Sequence, residues 1–287
     1  MSAPRVSAVV VSFEARDDLA ACLASLDAHG GPGLEVVVVD NASTDGSANL
    51  VARSHPQARL VRNPRNAGFG RACNQGAAAA GAPYVLFLNP DARLTPGALD
   101  ALVRVLDDEP GVGIVGPRTV NDDGTPQLSF GPALGLLAEW RQRRLVRGVR
   151  KRDPGILRRV EAMTTAAGEP DWVSGSCLLI RRSAFEQVGG FDEAFFLYEE
   201  DVDLCVRVRA AGWRVRFEPR AVVQHALGRS MARDPYRARL EYERSHLRYY
   251  RKHNGPLEWA VLRAGTTVQA AARLVCGLIR PGERPRE

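Results

Sequence analysis

Short runs of apolar residues alternate along the chain with segments that have helical spacing. Residues 6–13, 34–39 and 84–88 are runs of strand length, rich in β-branched and aromatic side chains, which predicts strands buried on both faces of a sheet. Between the first two runs, residues 17–28 carry apolar side chains three and four positions apart and precede two glycines, which predicts a helix that ends there. Strand, helix and strand at this spacing predict an α/β fold with a mostly parallel central sheet flanked by helices.

Carboxylates follow two of the predicted strands. Asp40 comes directly after the second strand, and Asp91 follows Asn89 and Pro90 at the end of the third. In open α/β sheets, ligands bind just beyond the carboxyl ends of the strands, so both carboxylates are candidate site residues. Asn-Pro-Asp is also ordinary turn sequence, and a simple turn is the alternative interpretation of that stretch.

Residues 63–74 lead into an alanine-rich helix through Gly68 and Gly70. The third glycine of a dinucleotide-binding fingerprint is missing, because Cys73 stands in its place, so that type of site is not predicted. The backbone N–H groups at this helix start, together with Arg71, nevertheless suit a ligand that carries phosphate.

The chain loses its regular pattern after Pro117 and then becomes strongly basic. Residues 141–159 contain nine Arg or Lys and one Asp, a charge of +8 within a chain of formal charge +6, so the remainder sums to 6 − 8 = −2. This insertion is predicted to be an irregular binding loop or lid, with a solvated helix face as the alternative. A local basic patch describes a partner surface rather than the fold.

Four acids lie within the five residues 199–203, at the predicted start of a helix. Acidic side chains in a first helical turn oppose the helix dipole, which accounts for two of them. Four acids next to the aromatic residues of 195–198 indicate a functional cluster. His225 lies in a predicted polar loop after a strand at 213–217, and a structural role is its alternative.

Composition bears on where the protein works. The five cysteines are scattered without metal-ligand spacing, which is typical of buried thiols in a reducing compartment. The amino terminus lacks a signal-peptide pattern, and no run of about 18 uncharged apolar residues occurs. We therefore expect a cytoplasmic protein. A basic amphipathic helix after residue 256 adds the expectation of peripheral contact with the inner face of the cell membrane, with packing on its own domain as the alternative.

These parts suit a metal-assisted transfer from a nucleotide diphosphate. Mg²⁺ or Mn²⁺, bound through a carboxylate and phosphate oxygens, would offset the charge of the diphosphate. Asp91 is a suitable oxygen ligand and His225 would suit Mn²⁺. An acid from 199–203 would act as the general base towards an acceptor hydroxyl.

The chain resembles the family 2 glycosyltransferases with the Rossmann-like glycosyltransferase A fold, particularly their rhamnosyltransferase-like branch. The resemblance covers roughly residues 5–230, with motifs in the family's order at 9–13, 38–47, 63–74, 87–91, 172–182, 189–207 and 225–230. It implies a catalytic domain at 1–230, made of a nucleotide-sugar half (1–116) and an acceptor half (117–230) that holds the basic insertion. Residues 231–287 would form a C-terminal helical extension.

The resemblance also implies roles for single residues. Asp40 would face the nucleobase, Asp91 is similar to the metal-binding last acid of the family's Asp-x-Asp motif, and His225 would complete the metal site. Asn89 replaces the first acid of that motif, which removes one negative charge. Asp201, with Glu200 beside it, would be the catalytic base. The nucleotide-sugar site would comprise Ser12, Glu14, Asp40, Asn66, Arg71, Asn89 and Asp91, and the acceptor side Trp172, Ser174 and Gly175.

The implied reaction transfers a sugar with inversion, with rhamnose from dTDP-rhamnose as the favoured donor. The acceptor would be a hydroxyl of a cell-envelope glycan or of a glycan linked to polyprenyl diphosphate. One base without a second nucleophile favours direct displacement, whereas glycoside hydrolysis needs a pair of carboxylates. The alternative is a non-catalytic nucleotide-sugar-binding or scaffold protein of the same fold. Nucleotidyl transfer and nucleic-acid binding lack a supporting motif, and no nucleic-acid partner is expected.

Overall fold

The computed structural model of the protein describes residues 3–226 and 235–279. A central sheet runs through it, and a two-stranded sheet lies beside it. The strands are β1 Val6–Ser12, β2 Leu34–Asp40, β3 Arg59–Arg62, β4 Tyr84–Leu88, β5 Ala92–Leu94, β6 Val112–Val120, β7 Phe130–Gly131, β8 Trp172–Val173, β9 Cys177–Arg181 and β10 Arg214–His225.

The central sheet has eight strands in the order β3-β2-β1-β4-β9-β6-β10-β5. Strands β3, β2, β1 and β4 are parallel to one another, and β6 is parallel to β10. Strand β9 runs antiparallel between β4 and β6, and β5 runs antiparallel to β10. The predicted α/β class is therefore confirmed, with the antiparallel strands confined to the second half of the sheet.

Helices cover both faces of this sheet. They are α1 Arg16–His29, α2 Ser47–Ser54, α3 Phe69–Ala79, α4 Ala98–Asp108, α5 Leu136–Arg150, α6 Pro154–Thr164, α7 Arg182–Gln187, α8 Glu200–Ala210, α9 Pro235–His253 and α10 Pro256–Ile279. Side chains of β1 alternate between two apolar layers: Val6, Ala8 and Val10 pack towards α1 and α4, and Val9 and Val11 pack towards α3 and α8. This alternation explains why the strand is apolar at nearly every position.

The predicted irregular insertion is wrong, because most of it is helical. Helices α5 and α6 occupy 136–150 and 154–164. Asp153 caps α6 by accepting hydrogen bonds from the amides of Gly155 and Ile156, at 2.9 and 3.0 Å, with Pro154 at the first helical position. The many arginines hide the helical period of α5, so the alternative of a solvated helix face is the one observed.

Two further boundaries differ from the prediction. The apolar run at 172–180 forms two strands, β8 and β9, with a turn at 174–176 between them. Strand β10 extends from Arg214 to His225, so His225 ends a strand and the predicted loop position is wrong. The extension comes from pairing with β5, which lies far away in the sequence.

The last two helices pack differently. Tyr249 and Tyr250 of α9 are completely buried in the apolar layer shared with α8. In α10, Trp259 and Leu262 pack against the same layer, whereas Leu257, Val261 and Val268 are exposed. Among the described residues, no helix is both long enough and apolar enough to span a bilayer.

Candidate active site at the carboxyl edge of the sheet

The predicted site residues meet at one edge of the sheet. Ser12 lies opposite Asp40 in the β1–β2 register, and Leu88 at the end of β4 lies opposite Cys177 at the start of β9. Because β1, β2 and β4 are parallel and β9 is antiparallel, three carboxyl ends and the amino end of β9 share this edge. The amide of Asn89 donates to the carbonyl of Ser176 at 2.9 Å, which joins the segment of the predicted metal ligand Asp91 to the turn at 174–176.

Four predicted site residues each have a buried side-chain oxygen without a hydrogen-bond partner in the described part of the chain. These atoms are Ser12 Oγ, Asp40 Oδ1, Asp91 Oδ1 and Glu200 Oε2. Buried polar atoms in folded proteins are nearly always hydrogen-bonded. Ser12, Asp40 and Asp91 stand at or just beyond strand ends, so their unsatisfied oxygens point to a place at the sheet edge where a ligand or an ion supplies the missing partners.

Asn41, which the sequence interpretation missed, organises the loop at 63–68. Its Nδ2 donates to Asn66 Oδ1 at 2.9 Å, and its Oδ1 accepts from Asn63 Nδ2 and from the amide of Ala67, both at 3.0 Å. The repeated asparagines at 41, 63 and 66 were the available signal. The Asn66 amide oxygen thus has an internal role, and direct contact of Asn66 with a nucleotide stays a prediction.

Glu14 joins the loops that follow β1 and β2. Its Oε1 accepts hydrogen bonds from the amide and hydroxyl of Thr44, at 2.6 and 3.0 Å, and its own amide donates to Ser43 Oγ at 3.1 Å. Glu14 has a positive φ of 51°, an uncommon conformation for a residue other than glycine. It holds the rim of the predicted nucleobase site beside Asp40.

The start of α3 faces another part of the protein. The amide of Phe69 donates to the carbonyl of Phe196 at 2.8 Å, and a Cβ built on Gly68 would lie 2.6 Å from that oxygen. This first amide is therefore not available to a phosphate. Arg71 is half-exposed and lies 3.4 Å from Glu193, between its Nε and the carboxylate Oε2, and its role as a phosphate ligand stays a prediction.

Asp91 and His225, the predicted metal ligands, are brought together by the β5–β10 pairing. His225 Nε2 lies 3.2 Å from Asp91 Oδ1, and the amide of Ala226 donates to the carbonyl of Asp91 at 3.0 Å. The other ring nitrogen, Nδ1, lies 3.1 Å from Gln127 Oε1, so Gln127 orients the ring. Residues 227–230 of the same predicted motif lie outside the described residues.

Asp201 lies in the first turn of α8 and faces the turn between β8 and β9. Its Oδ2 accepts a hydrogen bond from the amide of Gly175 at 2.6 Å, and its Oδ1 accepts from the amide of Val202 at 2.9 Å. Burial raises the pKa of Asp201 to about 6, and the negative charge of Glu199 acts in the same direction, while the Gly175 amide opposes the shift.

Glu200 lies deeper than Asp201. It is buried, and burial together with the neighbouring charge of Asp201 raises its pKa well above the usual range, so the carboxyl favours its neutral form. The two preceding residues, Tyr198 and Glu199, both have positive φ values, 70° and 64°. Two consecutive left-handed residues with bulky side chains are a strained entry to a helix, and such strain is concentrated at functional sites.

The predicted acceptor residues form the wall opposite Asp201. A Cβ built on Gly175 would lie 3.0 Å from Asp201 Cβ, so only glycine lets the carboxylate approach this turn. The hydroxyl of Ser174 accepts from the amide of Ser176 at 3.2 Å, which stabilises the turn. Trp172 is nearly buried and donates from its indole nitrogen to the carbonyl of Pro132 at 2.8 Å.

A buried ionic cluster contacts the acidic turn at 199–203, and sequence reasoning missed it. His246 of α9 lies between two carboxylates: its Nδ1 is 3.0 Å from Glu199 Oε1 and its Nε2 is 3.2 Å from Glu139 Oε2. Burial alone would lower the pKa of His246, but the contacts with Glu139 and Glu199 raise it to about 9. His253 lies seven residues later, on the same helix face, and pairs with Asp203 at 2.7 Å.

Asp203 is fixed by the same helix. Burial alone would raise its pKa, but hydrogen bonds from His253, Lys252 and Arg207 lower it to about 2. Thus Asp203 is a structural anion, in contrast to Asp201. Three basic residues spaced along α8 and α9 were the sequence signal for this pairing.

The family model for glycosyl transferase family 2 matches residues 7–189, and that for glycosyl transferase family group 2 matches residues 149–264. The chain belongs to glycosyl transferase family 2.

Proteins similar to this glycosyltransferase include two named transferases. The N-acetylglucosaminyl-diphospho-decaprenol L-rhamnosyltransferase of Mycobacterium tuberculosis is 33% identical over 92% of this chain and 93% of its own. The pre-mycofactocin glycosyltransferase of the same organism is 33% identical over 67% of this chain and 37% of its own. The predicted enzyme class and the resemblance to the rhamnosyltransferase-like branch are thereby confirmed.

The fold of this family 2 glycosyltransferase is also found in solved structures. The mannosyltransferase PcManGT from Pyrobaculum calidifontis, solved with GDP-Man and Mn²⁺, superimposes with a TM-score of 0.61 at 22% identity, covering 99% of this chain and 78% of its own. The predicted glycosyltransferase A fold is confirmed. Within the described residues, no group of three or more His, Cys, Asp or Glu side chains forms a metal centre by itself.

Proposed function

We propose that this glycosyltransferase moves rhamnose from dTDP-rhamnose to a hydroxyl of a glycan linked to polyprenyl diphosphate, with inversion at the anomeric carbon. The observation that supports this reaction best is the placement of Asp201 at the edge that also carries the unsatisfied oxygens of Ser12, Asp40 and Asp91. The choice of sugar and acceptor is supported by the 33% identity with the mycobacterial rhamnosyltransferase over nearly the whole chain.

Asp201 is suited to take the proton of the acceptor hydroxyl. Its pKa of about 6 leaves it ionised at neutral pH but more basic than an ordinary aspartate. As the acceptor oxygen forms its bond to the anomeric carbon, the bond from that carbon to the diphosphate breaks, the proton moves to Asp201 and dTDP leaves. The amides of Gly175 and Val202 hold both carboxylate oxygens in place throughout.

Asp91 and His225 suit a divalent metal shared with the donor. Asp91 Oδ1 is buried without a hydrogen-bond partner among the described residues, and His225 Nε2 lies 3.2 Å away. Two protein donors match the way Mg²⁺ and Mn²⁺ are held in nucleotide sites, where phosphate oxygens and water complete the coordination. When bound, the metal would offset the charge that develops on the leaving diphosphate.

This assignment gives each segment of the chain a proposed role. In the proposal, residues 1–116 bind the nucleotide sugar and 117–230 bind the acceptor, while 231–287 support the acceptor half. The contacts of His246 and His253 with the acidic turn agree with that supporting role. Membrane contact and a cytoplasmic location at the inner face of the cell membrane are part of the same proposal.

The proposed function is tested by offering the purified protein dTDP-rhamnose, UDP-sugars and GDP-sugars, each with a short-chain prenyl-diphosphate-linked N-acetylglucosamine. We expect acceptor-dependent release of dTDP, and a loss on the order of a hundredfold or more in kcat for Asp201→Asn, because a general base contributes about that much. Turnover of another nucleotide sugar in preference to dTDP-rhamnose would contradict the donor assignment, and an unchanged Asp201→Asn rate would contradict the base.

A further inference from the structure

A cleft of about 400 Å³ opens between α5 and the segments that carry the catalytic residues. One wall of the cleft is basic, and the other contains the acceptor-side tryptophan together with the neighbour of the proposed base. These lining residues are Arg143, Arg147 and Arg150 on the first wall, and Trp172, Val202 and Tyr242 on the second. Glu199 and Val202 flank Asp201 in the chain, so the cleft borders the helix turn that carries the proposed base.

The charge of the basic wall is only partly compensated. The three arginines are four and three positions apart and therefore share one face of α5. Arg143 pairs with Glu139 at 2.8 Å, whereas within residues 3–226 and 235–279 no carboxylate pairs with Arg147 or Arg150. Two guanidinium groups are thus left to attract an anion.

The carboxylates in this cleft do not cancel that charge. Glu139 and Glu199 also line it, but two cations offset their charge. His246 lies between them, and its pKa of about 9 keeps it protonated at neutral pH, while Arg143 pairs with Glu139. Guanidinium groups bind phosphate oxygens in a two-pronged, charge-assisted geometry. The cleft therefore has the chemistry of a phosphate-binding site that is separate from the Asp91–His225 pair.

The surface beyond the cleft is both apolar and basic. A second cavity of about 510 Å³ shares Arg143 and Arg147 with the first and reaches Trp140 and Leu262. Trp140 and Leu137 on the outer side of α5 are each 60% exposed. An amphipathic, arginine-rich surface with an exposed tryptophan suits the lipid next to a phosphate group.

We infer that Arg147 and Arg150 of this cleft bind the diphosphate of the lipid-linked acceptor, which places the sugar attached to it against Asp201. This inference rests on the proposed function, since it names a subsite for the proposed acceptor. An acceptor of this class carries its anionic group one sugar ring away from the hydroxyl that reacts. The adjacency of the arginine wall to Val202 and Trp172 meets that requirement.

The test compares the double variant Arg147→Gln/Arg150→Gln with Arg158→Gln/Arg159→Gln. The control pair lies on α6, is exposed, and removes the same charge outside the cleft. Binding of geranyl diphosphate is measured by calorimetry with dTDP and Mg²⁺ present in excess, so that the donor site is filled. We expect the Kd of geranyl diphosphate to rise by about tenfold to a hundredfold in the cleft variant and to stay within twofold in the control.

A second arm uses catalysis. In the cleft variant, the KM of an N-acetylglucosamine linked to prenyl diphosphate should rise about tenfold or more, and the KM of the donor should stay unchanged. The rate with an octyl N-acetylglucosaminide should also stay unchanged, because this acceptor has no phosphate. The inference would be overturned if the cleft variant lost activity equally with both acceptors, or if the cleft and control variants showed equal losses. It would also be overturned if the wild-type protein did not bind geranyl diphosphate. Binding without transfer to any acceptor would instead refute the proposed function and leave the diphosphate subsite standing.

Discussion

Asp201 holds two properties that a general base needs, a fixed orientation and a pKa near the working pH. The amides of Gly175 and Val202 fix its two oxygens, and burial supplies the pKa shift. The neighbouring Glu200 is driven further towards the neutral form because it is more deeply buried. The two adjacent acids therefore differ in protonation, because the charge of Asp201 adds to the burial of Glu200, whereas backbone amides favour the ionised form of Asp201.

A first prediction concerns the pH profile. Because Asp201 must be ionised to accept a proton and its pKa is about 6, kcat should be level above pH 7 and fall about tenfold per pH unit well below pH 6. The profile of kcat against pH between 4.5 and 8 checks this, with donor and acceptor saturating. A rate that is flat down to pH 4.5 would show that another group limits the reaction.

Gly175 gives the second prediction. A methyl group at this position would lie 3.0 Å from Asp201 Cβ and displace the carboxylate from the acceptor turn. Gly175→Ala should therefore lower kcat by about ten- to a hundredfold, as small misplacements of reacting groups do, with the KM of the donor unchanged. Gly81→Ala is the matched control, because a methyl group there meets no atom within 4 Å. Equal activity of the two variants would remove Gly175 from the site.

At the scale of elements, α9 decides where the acidic turn lies. Its His246 connects Glu139 of α5 to Glu199 beside the base, and its tyrosines fill the apolar layer under α8. The sequence indicates a C-terminal helical extension at 231–287, and nothing in it assigns His246 to a buried cluster. Partners on three different helices become visible only when the helices are packed.

His246→Gln should destabilise the protein by about 3 kcal/mol, because the change leaves two buried carboxylates without their cation. The folded-state pKa of about 9 lies above the ordinary 6.5, so the stabilisation is complete below pH 6.5 and is lost as pH rises through 9. Tm measured from pH 6 to pH 10 should fall in the wild type and fall less in the variant. Arg248→Gln, an exposed change on the same helix, should leave the profile intact.

Helix α5 shows how composition can hide structure. Its five arginines over 15 residues suppress the apolar period that predicts helices, so the sequence pattern predicts an irregular insertion instead. In the folded protein, Glu139 and Gly148 are its buried positions, and a Cβ on Gly148 would overlap Ile156 of α6. Contact between α5 and α6, rather than a strong apolar stripe, marks the inner face of this helix.

At the scale of the whole molecule, the proposed metal pair depends on sheet topology. Asp91 and His225 are 134 positions apart, as 225 − 91 gives, and meet because β5 pairs with the end of β10. Asp91→Asn and His225→Gln should each weaken Mn²⁺-dependent binding of dTDP by about tenfold or more. Gln127→Leu should weaken it by a similar or smaller factor, because the imidazole ring of His225 loses the contact that orients it. Calorimetry of dTDP with Mn²⁺ and with EDTA measures this.

The matched control for the metal pair is His55→Gln. His55 follows the last residue of α2 and pairs with Asp27, so the change removes a histidine that is not a proposed metal ligand. It should bind dTDP like the wild type with and without Mn²⁺. Wild-type binding that is equally tight in EDTA would contradict the metal assignment and leave the base assignment untouched.

The sequence alone determined the α/β class, the positions of most strands and the family, because these depend on local patterns: apolar runs of strand length, glycine stops and short motifs in order. It also placed Asp40, Asp91 and Asp201 at element ends, since a strand or helix boundary is a local event. The pairing of His225 with Asp91, the Glu139–His246–Glu199 cluster and the arginine cleft were decided by tertiary structure. Each joins residues on separate elements, and pKa shifts of the kind seen at Asp201 and His246 come from burial and neighbours that no linear pattern records.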